Sequence, residues 1–480
     1  MLVKKMKKNN KVNLYIKILI HIFIILMFEL YIQSLSTNIH NNMKLITLIL
    51  ILLVILISII IDKKKKLSTK NITNIIIIIG ILLRTMYIIY TPITERQHDV
   101  DYFNYEGHLS YINTIYETGK LPETNAMQYY HPPLHHIMGA GWLKINEIFF
   151  NTPFMVNIEN LQILTLLFSS LTLYVISLIL SRIKIKDKYK HLINIFFSVH
   201  PTFIILSGSI NNDCLEYLFQ FLILLYILKY YEKPTLKNSI ILGIITGLCM
   251  LTKFNGLIML GPITIMFLYK IYKDKKINEA LKNYGICIII ALILGLSFQI
   301  RSILLFGSNA IPEPGDFLSL KNYNIIERMV IPSITTMFDK FCKLPGDYNL
   351  FAYIVKSSIF GEYHFNISNV FYYSYLIVNL FLIIFSTILI IKNIKNILKD
   401  KILLLLITNY FINIISYLYF NYKYPFICTM DFRYIVPTLM TGITLLVLES
   451  NNTSNKRLSI IIDISIIIFI ILSLIFLFLI

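Results

Sequence analysis

The sequence predicts an all-α, polytopic transmembrane helical bundle, and three observations carry that reading. Hydrophobic residues make up 56% of the 480 positions, and mean hydropathy is +0.69, whereas soluble domains are roughly 45–50% apolar. The apolar residues come in blocks of about 20, mostly Ile, Leu and Phe, the length a helix needs to cross a hydrocarbon layer about 30 Å thick. The cations fall between those blocks. Lys+Arg number 44 against 26 Asp+Glu, a net charge of +18, and they gather in short connections: Lys4, Lys5, Lys7 and Lys8; Lys63 to Lys66; Arg182, Lys184, Lys186 and Lys188. Basic connections of this kind mark the cytoplasmic side. In a soluble chain the same surplus would suggest nucleic acid; here it sets topology, and no nucleic-acid partner is expected.

Blocks and flanking charges together predict about thirteen spans. Two N-terminal helices, near 14–33 and 45–61, occupy residues 1–70. A third, near 72–90, opens a module over 71–305 and delivers the chain into a first outer loop, 93–157, whose surface helices include one at about 134–150. Spans follow near 160–180, 192–209, 215–229, 240–251, 257–269 and 284–305. A second outer segment, 306–369, precedes C-terminal helices in 370–480, near 371–391, 402–420, 434–448 and 458–480. The charge rule holds at every inward connection, for example Lys270, Lys273, Lys275 and Lys276. The simple loops suggest a prokaryotic plasma membrane, with the polar loops extracytoplasmic. The five cysteines lack metal-ligand spacing, which argues against zinc and a disulfide framework. Cys342 and Cys428 share the outer side and leave one disulfide open.

Chemistry concentrates in the first outer loop. Asp99 and Asp101, two residues apart and flanked by His98 and His108, are the pattern of a general base or a divalent-cation ligand set. Further on, His131 and His135 stand four apart, but Pro132 and Pro133 lie between them. No regular helix covers that pair, which favours a loop-shaping role over zinc. Tyr102, Tyr105, Tyr129 and Tyr130 offer rings on which a sugar can stack, or interfacial anchors. Ionisable residues recur at the outer ends of spans: Asp213, Lys253, Arg301, and Asp431 with Arg433. Charge near hydrocarbon is costly, and its placement on one side points to a shared anionic ligand.

The string from Asp99 through His131-Pro132-Pro133-Leu134, then His200-Pro201, Asn211-Asn212-Asp213, Leu251-Thr252-Lys253 and Arg433-Tyr434 resembles the GT-C superfamily of membrane glycosyltransferases, protein mannosyltransferase-like and aminoarabinose-transferase-like, over roughly residues 70 to 450. The resemblance implies a GT-C-type bundle that moves a sugar from a polyprenyl-phosphate carrier to an acceptor hydroxyl on a glycan, lipid or protein, with inversion. It makes Asp99 the general base, with Asp101 the alternative, and Lys253, Arg301 and Arg433 the cations for the leaving phosphate. Asp213 orients a cation or the sugar, and His98, His131, Tyr102 and Tyr130 complete the substrate-binding set. No cofactor is certain; a divalent cation is possible. Two departures stand out: Val100 separates an acidic pair that relatives carry adjacent, and Gln162 stands where many relatives carry an arginine. The segment Phe360-Gly361-Glu362-Tyr363-His364-Phe365 is a candidate cap over the site. The competing readings are a lipid-glycan polymerase or ligase, and a transporter or flippase. The second is disfavoured because transporters place broken helices and polar groups at the bilayer midplane, whereas these charges lie at one interface.

Overall fold

The computed structural model describes residues 40–64, 67–100, 107–150, 154–307, 310, 319–330, 333–340 and 347–480. The expected first span, 14–33, together with Asp101, Tyr102, Tyr105 and Cys342, lies outside the described residues. Within them the chain is helical, with a single isolated bridge between Ser319 and Phe426. Among the described residues, nine helices are long and apolar enough to cross a membrane, or up to eleven if each of two bent pairs is one span. The protein is a multi-pass membrane protein.

In chain order the helices are α1 (Met43–Lys64), α2 (Thr69–Tyr90), α3 (His108–Thr118), α4 (Leu134–Phe150), α5 (Leu161–Leu180), α6 (Asp187–Val199), α7 (Pro201–Ile205) and α8 (Asp213–Glu232). There follow α9 (Leu236–Thr252), α10 (Leu260–Asp274), α11 (Ile277–Gly295), α12 (Ser297–Phe306), α13 (Leu350–Phe360), α14 (Asn369–Asn393), α15 (Lys401–Lys423), α16 (Thr438–Asn452) and α17 (Lys456–Leu479). Each expected span after the first meets a helix, with three adjustments. The 192–209 and 434–448 segments are bent, by 52° between Asp187–Val199 and Pro201–Gly208 and by 49° between Ile427–Ile435 and Thr438–Asn452. The 284–305 segment divides into α11 and α12, and α9, at 17 residues, is shorter than a spanning helix. The surface helix at 134–150 is α4, and α3 is a second helix of the first loop.

The first bend has a chemical cause. Pro201 has no N–H, so the Phe197 carbonyl loses its helical partner. Arg84, fully buried on α2, replaces it: Nη2 donates to Phe197 O at 3.2 Å and Nη1 to Ser198 O at 2.9 Å, while Nε donates to Ser169 Oγ. A buried cation persists only when every donor is used in this way. Short α9 sits where small residues permit. A Cβ at Gly243 would lie 2.6 Å from the Cys287 carbonyl and one at Gly247 2.6 Å from Leu294 Cβ, so the two glycines let α9 lie against α11. That contact fixes the end of α9 that carries Lys253.

Replacing Arg84 with methionine leaves the Phe197 and Ser198 carbonyls without donors. The Arg84→Met protein is expected to lose about 2 kcal/mol or more of stability, measured as a drop in detergent thermal-unfolding midpoint. An unchanged midpoint would separate the bend from Arg84.

Candidate active site

Three consecutive residues after α2 are each tied to a different element. Gln97 donates from Nε2 to the Gly208 carbonyl and accepts from the Ile210 N–H, both at 2.8 Å. His98 Nδ1 lies 3.1 Å from Glu362 Oε2. The Asp99 carbonyl accepts from the His108 N–H at 2.8 Å and that of Val100 from Leu109 at 3.2 Å. Helix α3 has no side-chain cap at its first turn, so the loop backbone satisfies N–H groups that would otherwise be orphaned. Asp99 itself has φ of +56°, a left-handed conformation that costs a non-glycine residue energy and is retained where surroundings enforce it.

The other elements bring their charges to this point. At the start of α8, Asn211 Nδ2 donates to Asp213 Oδ2, and the Asp213 N–H donates back to Asn211 Oδ1, each at 3.1 Å. Asn212 donates to the Thr252 carbonyl at 3.0 Å and so joins α8 to the end of α9. Lys253, just beyond that end, reaches Asp213 at 2.5 Å and Glu216 at 3.7 Å. Arg433 is held by its backbone: its N–H donates to Asp431 Oδ1 at 2.9 Å, and its carbonyl accepts from the Tyr217 hydroxyl at 2.6 Å. Its guanidinium forks between Asp99 and Asp213, each 3.5 Å away, with Asp431 at 3.8 Å from Nε. Both cations also stand over the Tyr434 ring, Lys253 at 4.8 Å and Arg433 at 5.2 Å.

Asp99, Asp213, Lys253 and Arg433 therefore form one continuous ion-pair chain, of which Asp99 is the open end. Its side chain is 45% exposed, against 1% for Asp213 and 7% for Arg433. Tyr130 lies beside Asp99, and His131 beside Lys253, Asp213 and Arg433. The Tyr130 phenol is pushed up by burial and then by the nearby Asp99 carboxylate, and its ring lies 4.2 Å from that of His131. Burial, then Lys253, depress His131 to about 3. Arg301 stands apart from these carboxylates: it donates to the Pro122 carbonyl at 2.9 Å, and among the described residues it makes no ion pair with them. Gln162, in the position of an expected phosphate-binding arginine, is also structural, donating to the Thr91 and Gly208 carbonyls at 3.1 Å.

Three participants escaped the sequence reading as site residues. Glu216 lies three residues after Asp213, on the same helix face, and that spacing was the available signal. Asp431 was visible two residues before Arg433. Glu362 belongs to the segment expected as a cap, and nothing local announced its pairing with His98.

The loop histidines form a neutral cluster. His131 follows the 3₁₀ turn Met127–Tyr130 and precedes α4, so it shares no helix with His135. His108 Nδ1 lies 2.9 Å from His136 Nε2, and the Tyr111 ring stacks on His136 at 4.0 Å. Burial leads the depression of all four rings, His135 to about 4 and His108 and His136 well below 6.5.

The family described as Predicted membrane protein (DUF2142) matches residues 116–442. No curated protein matches the chain. Among solved structures, the Saccharomyces cerevisiae protein O-mannosyltransferase Pmt1-Pmt2 complex bound to sugar donor aligns at 16% identity and TM-score 0.38, over 52% of this chain and 35% of that one. The Archaeoglobus fulgidus oligosaccharyltransferase aligns at 15% and 0.38, over 83% and 52%. ArnT from Cupriavidus metallidurans aligns at 10% and 0.35, over 79% and 77%. The chain thus spans about a third of the first of these structures and half of the second.

Two outcomes are expected. Lys253→Met leaves buried Glu216 without its cation and Asp213 with Arg433 alone, and lowers stability by about 3–5 kcal/mol, read from thermal unfolding in detergent; no change would mean that Lys253 is free of them. The histidines give a pH signature. Their folded values lie below the unfolded 6.5, so the unfolded chain binds protons first as pH falls. Their contribution is complete above about pH 6.5 and is lost toward about 3 to 4. The unfolding midpoint should fall with acidification across this window, less steeply in His135→Gln; equal slopes would remove His135 from the effect.

Proposed function

The chain belongs to the predicted membrane protein family matched over residues 116–442, and we propose that it is a glycosyltransferase that takes a sugar from a polyprenyl-phosphate carrier. The observation that carries this reading is Asp99: the open carboxylate of an otherwise buried ion-pair chain, 3.5 Å from the Arg433 guanidinium, on a loop pinned at three successive residues. The order of motifs along the chain supports it independently.

In this reading the acceptor hydroxyl gives its proton to Asp99 as its oxygen attacks the anomeric carbon. The bond from that carbon to the carrier phosphate breaks on the opposite face, and the carrier leaves as the phosphate anion. A positioned base contributes about 10² to 10⁴ in rate. Arg433 and Lys253 stabilise the anion as its charge grows, and only that growth accelerates the step. Asp213 bridges the two cations and holds them at a fixed separation. Tyr130 and His131 wall the sugar side, and the neutral imidazole hydrogen-bonds without adding charge. Asp101 and Tyr102, on the same loop, are the alternative base and a further ring for the sugar.

The site end of the bundle faces the extracytoplasmic side, because the basic connections, with Lys63, Arg182, Lys270 and Lys392, lie at the other ends of the spans. A plasma membrane is the setting. An apolar groove of about 430 Å³ lined by Ile325, Met329, Leu418 and Tyr422 lies beside the outer end of α15 and suits the carrier's hydrocarbon. The acceptor is a hydroxyl on a glycan, lipid or protein.

The test is transfer of radiolabelled sugar from polyprenyl-phosphate donors to membrane acceptors. Wild-type protein should transfer label, and Asp99→Asn at matched expression should lose about a hundredfold or more. Full activity in Asp99→Asn moves the base to Asp101, while no transfer from any donor ends the reading.

A further inference from the structure

Four carboxylates of the cluster are buried, Asp213, Glu216, Glu362 and Asp431, each no more than 4% exposed, and two cations among the described residues face them, Lys253 and Arg433. Lys253 is committed to Asp213 and Glu216, and Arg433 is divided among Asp99, Asp213 and Asp431. Glu362 meets His98 Nδ1 at 3.1 Å. His98, on the first loop, therefore stands with Glu362 and Asp431 in one buried group.

The geometry of this group is that of a cation site. His98, Glu362 and Asp431 each offer a ligand atom, and these atoms lie within 4.8 Å of one another, all three residues being buried. Asp431 Oδ2 is buried and has no hydrogen-bond partner; its nearest cationic atom, Arg433 Nε, is 3.8 Å away, beyond hydrogen-bond reach. A carboxylate oxygen at 2% residue exposure is thus aimed into a group of two other metal-ligating side chains.

We propose that His98, Glu362 and Asp431 bind one divalent transition cation. Two carboxylates and one imidazole suit manganese or zinc; magnesium and calcium prefer an all-oxygen shell. Three protein ligands leave coordination positions for water or a phosphate oxygen. The ligands come from the first loop, the connection after α13 and the turn before α16, so the ion ties the loop that carries Asp99 to the segment that carries Arg433. Its role in transfer, meeting a phosphate that Arg433 and Lys253 approach already engaged by carboxylates, rests on the glycosyltransferase reading; its binding does not.

The experiment uses the full chain purified in detergent, stripped with chelator and titrated with divalent manganese under electron paramagnetic resonance. The expected result is one ion per chain, with spin-echo modulation from a coordinating imidazole nitrogen. His98→Gln should remove that modulation, and Asp431→Asn should weaken binding by about tenfold or more. Asp99→Asn should bind manganese as the wild type does, whatever it does to transfer. If the wild type binds as described yet transfers no sugar, the ion site stands and the transfer reading falls. Absence of saturable binding in the wild type, or binding with no nitrogen modulation, overturns the site, and neither readout depends on a variant folding.

Discussion

The guanidinium of Arg433 is the interaction on which the outer end of the molecule depends. It bridges Asp99 on a loop to Asp213 on α8, while Asp431, two residues away, caps its own backbone. A planar fork can serve two carboxylates at once, which a lysine ammonium on a flexible stem does less well. The first loop, the N-terminus of α8 and the turn before α16 are therefore coupled through one side chain. Removing Arg433 would take that counter-charge from buried Asp213 and Asp431, and that cost makes the arrangement specific.

Less conspicuous contacts set this hub at the correct height. Arg84 on α2 donates to the carbonyls at the broken end of α6, and the bend there brings Gly208 and Ile210 into reach of Gln97. Gln97 precedes His98 and Asp99, so an irregularity in a buried helix fixes the base of the proposed reaction. Gly243 and Gly247 do the equivalent for Lys253, since close contact of α9 with α11 determines where α9 ends. Both devices put irregular backbone where side chains can satisfy it, the condition for tolerating it at membrane depth.

The candidate site was legible to different degrees. Asp213, Lys253 and Arg433 could be picked out singly, because charge at the end of an apolar block is expensive enough to mark itself. Asp99 could be picked out by its dense acidic loop. Arg301 met the same criteria, yet it serves the Pro122 carbonyl: position along a span does not say which way a side chain turns. The His98 ring meets Glu362 across 264 residues of chain, a pairing that no local pattern encodes.

The sequence by itself determined that the chain is a helical membrane protein, roughly where its helices lie and which of their ends carry charge, because hydropathy and charge are local properties acting against a fixed hydrocarbon thickness. The tertiary structure alone decided which charges meet. Bends at His200-Pro201 and before Thr438, the close α9–α11 contact and the pinning of residues 97–100 to Gly208, Glu362 and the start of α3 place side chains from distant segments within a few ångströms. Ion pairing depends on distance and burial, and both come from packing rather than from order along the chain.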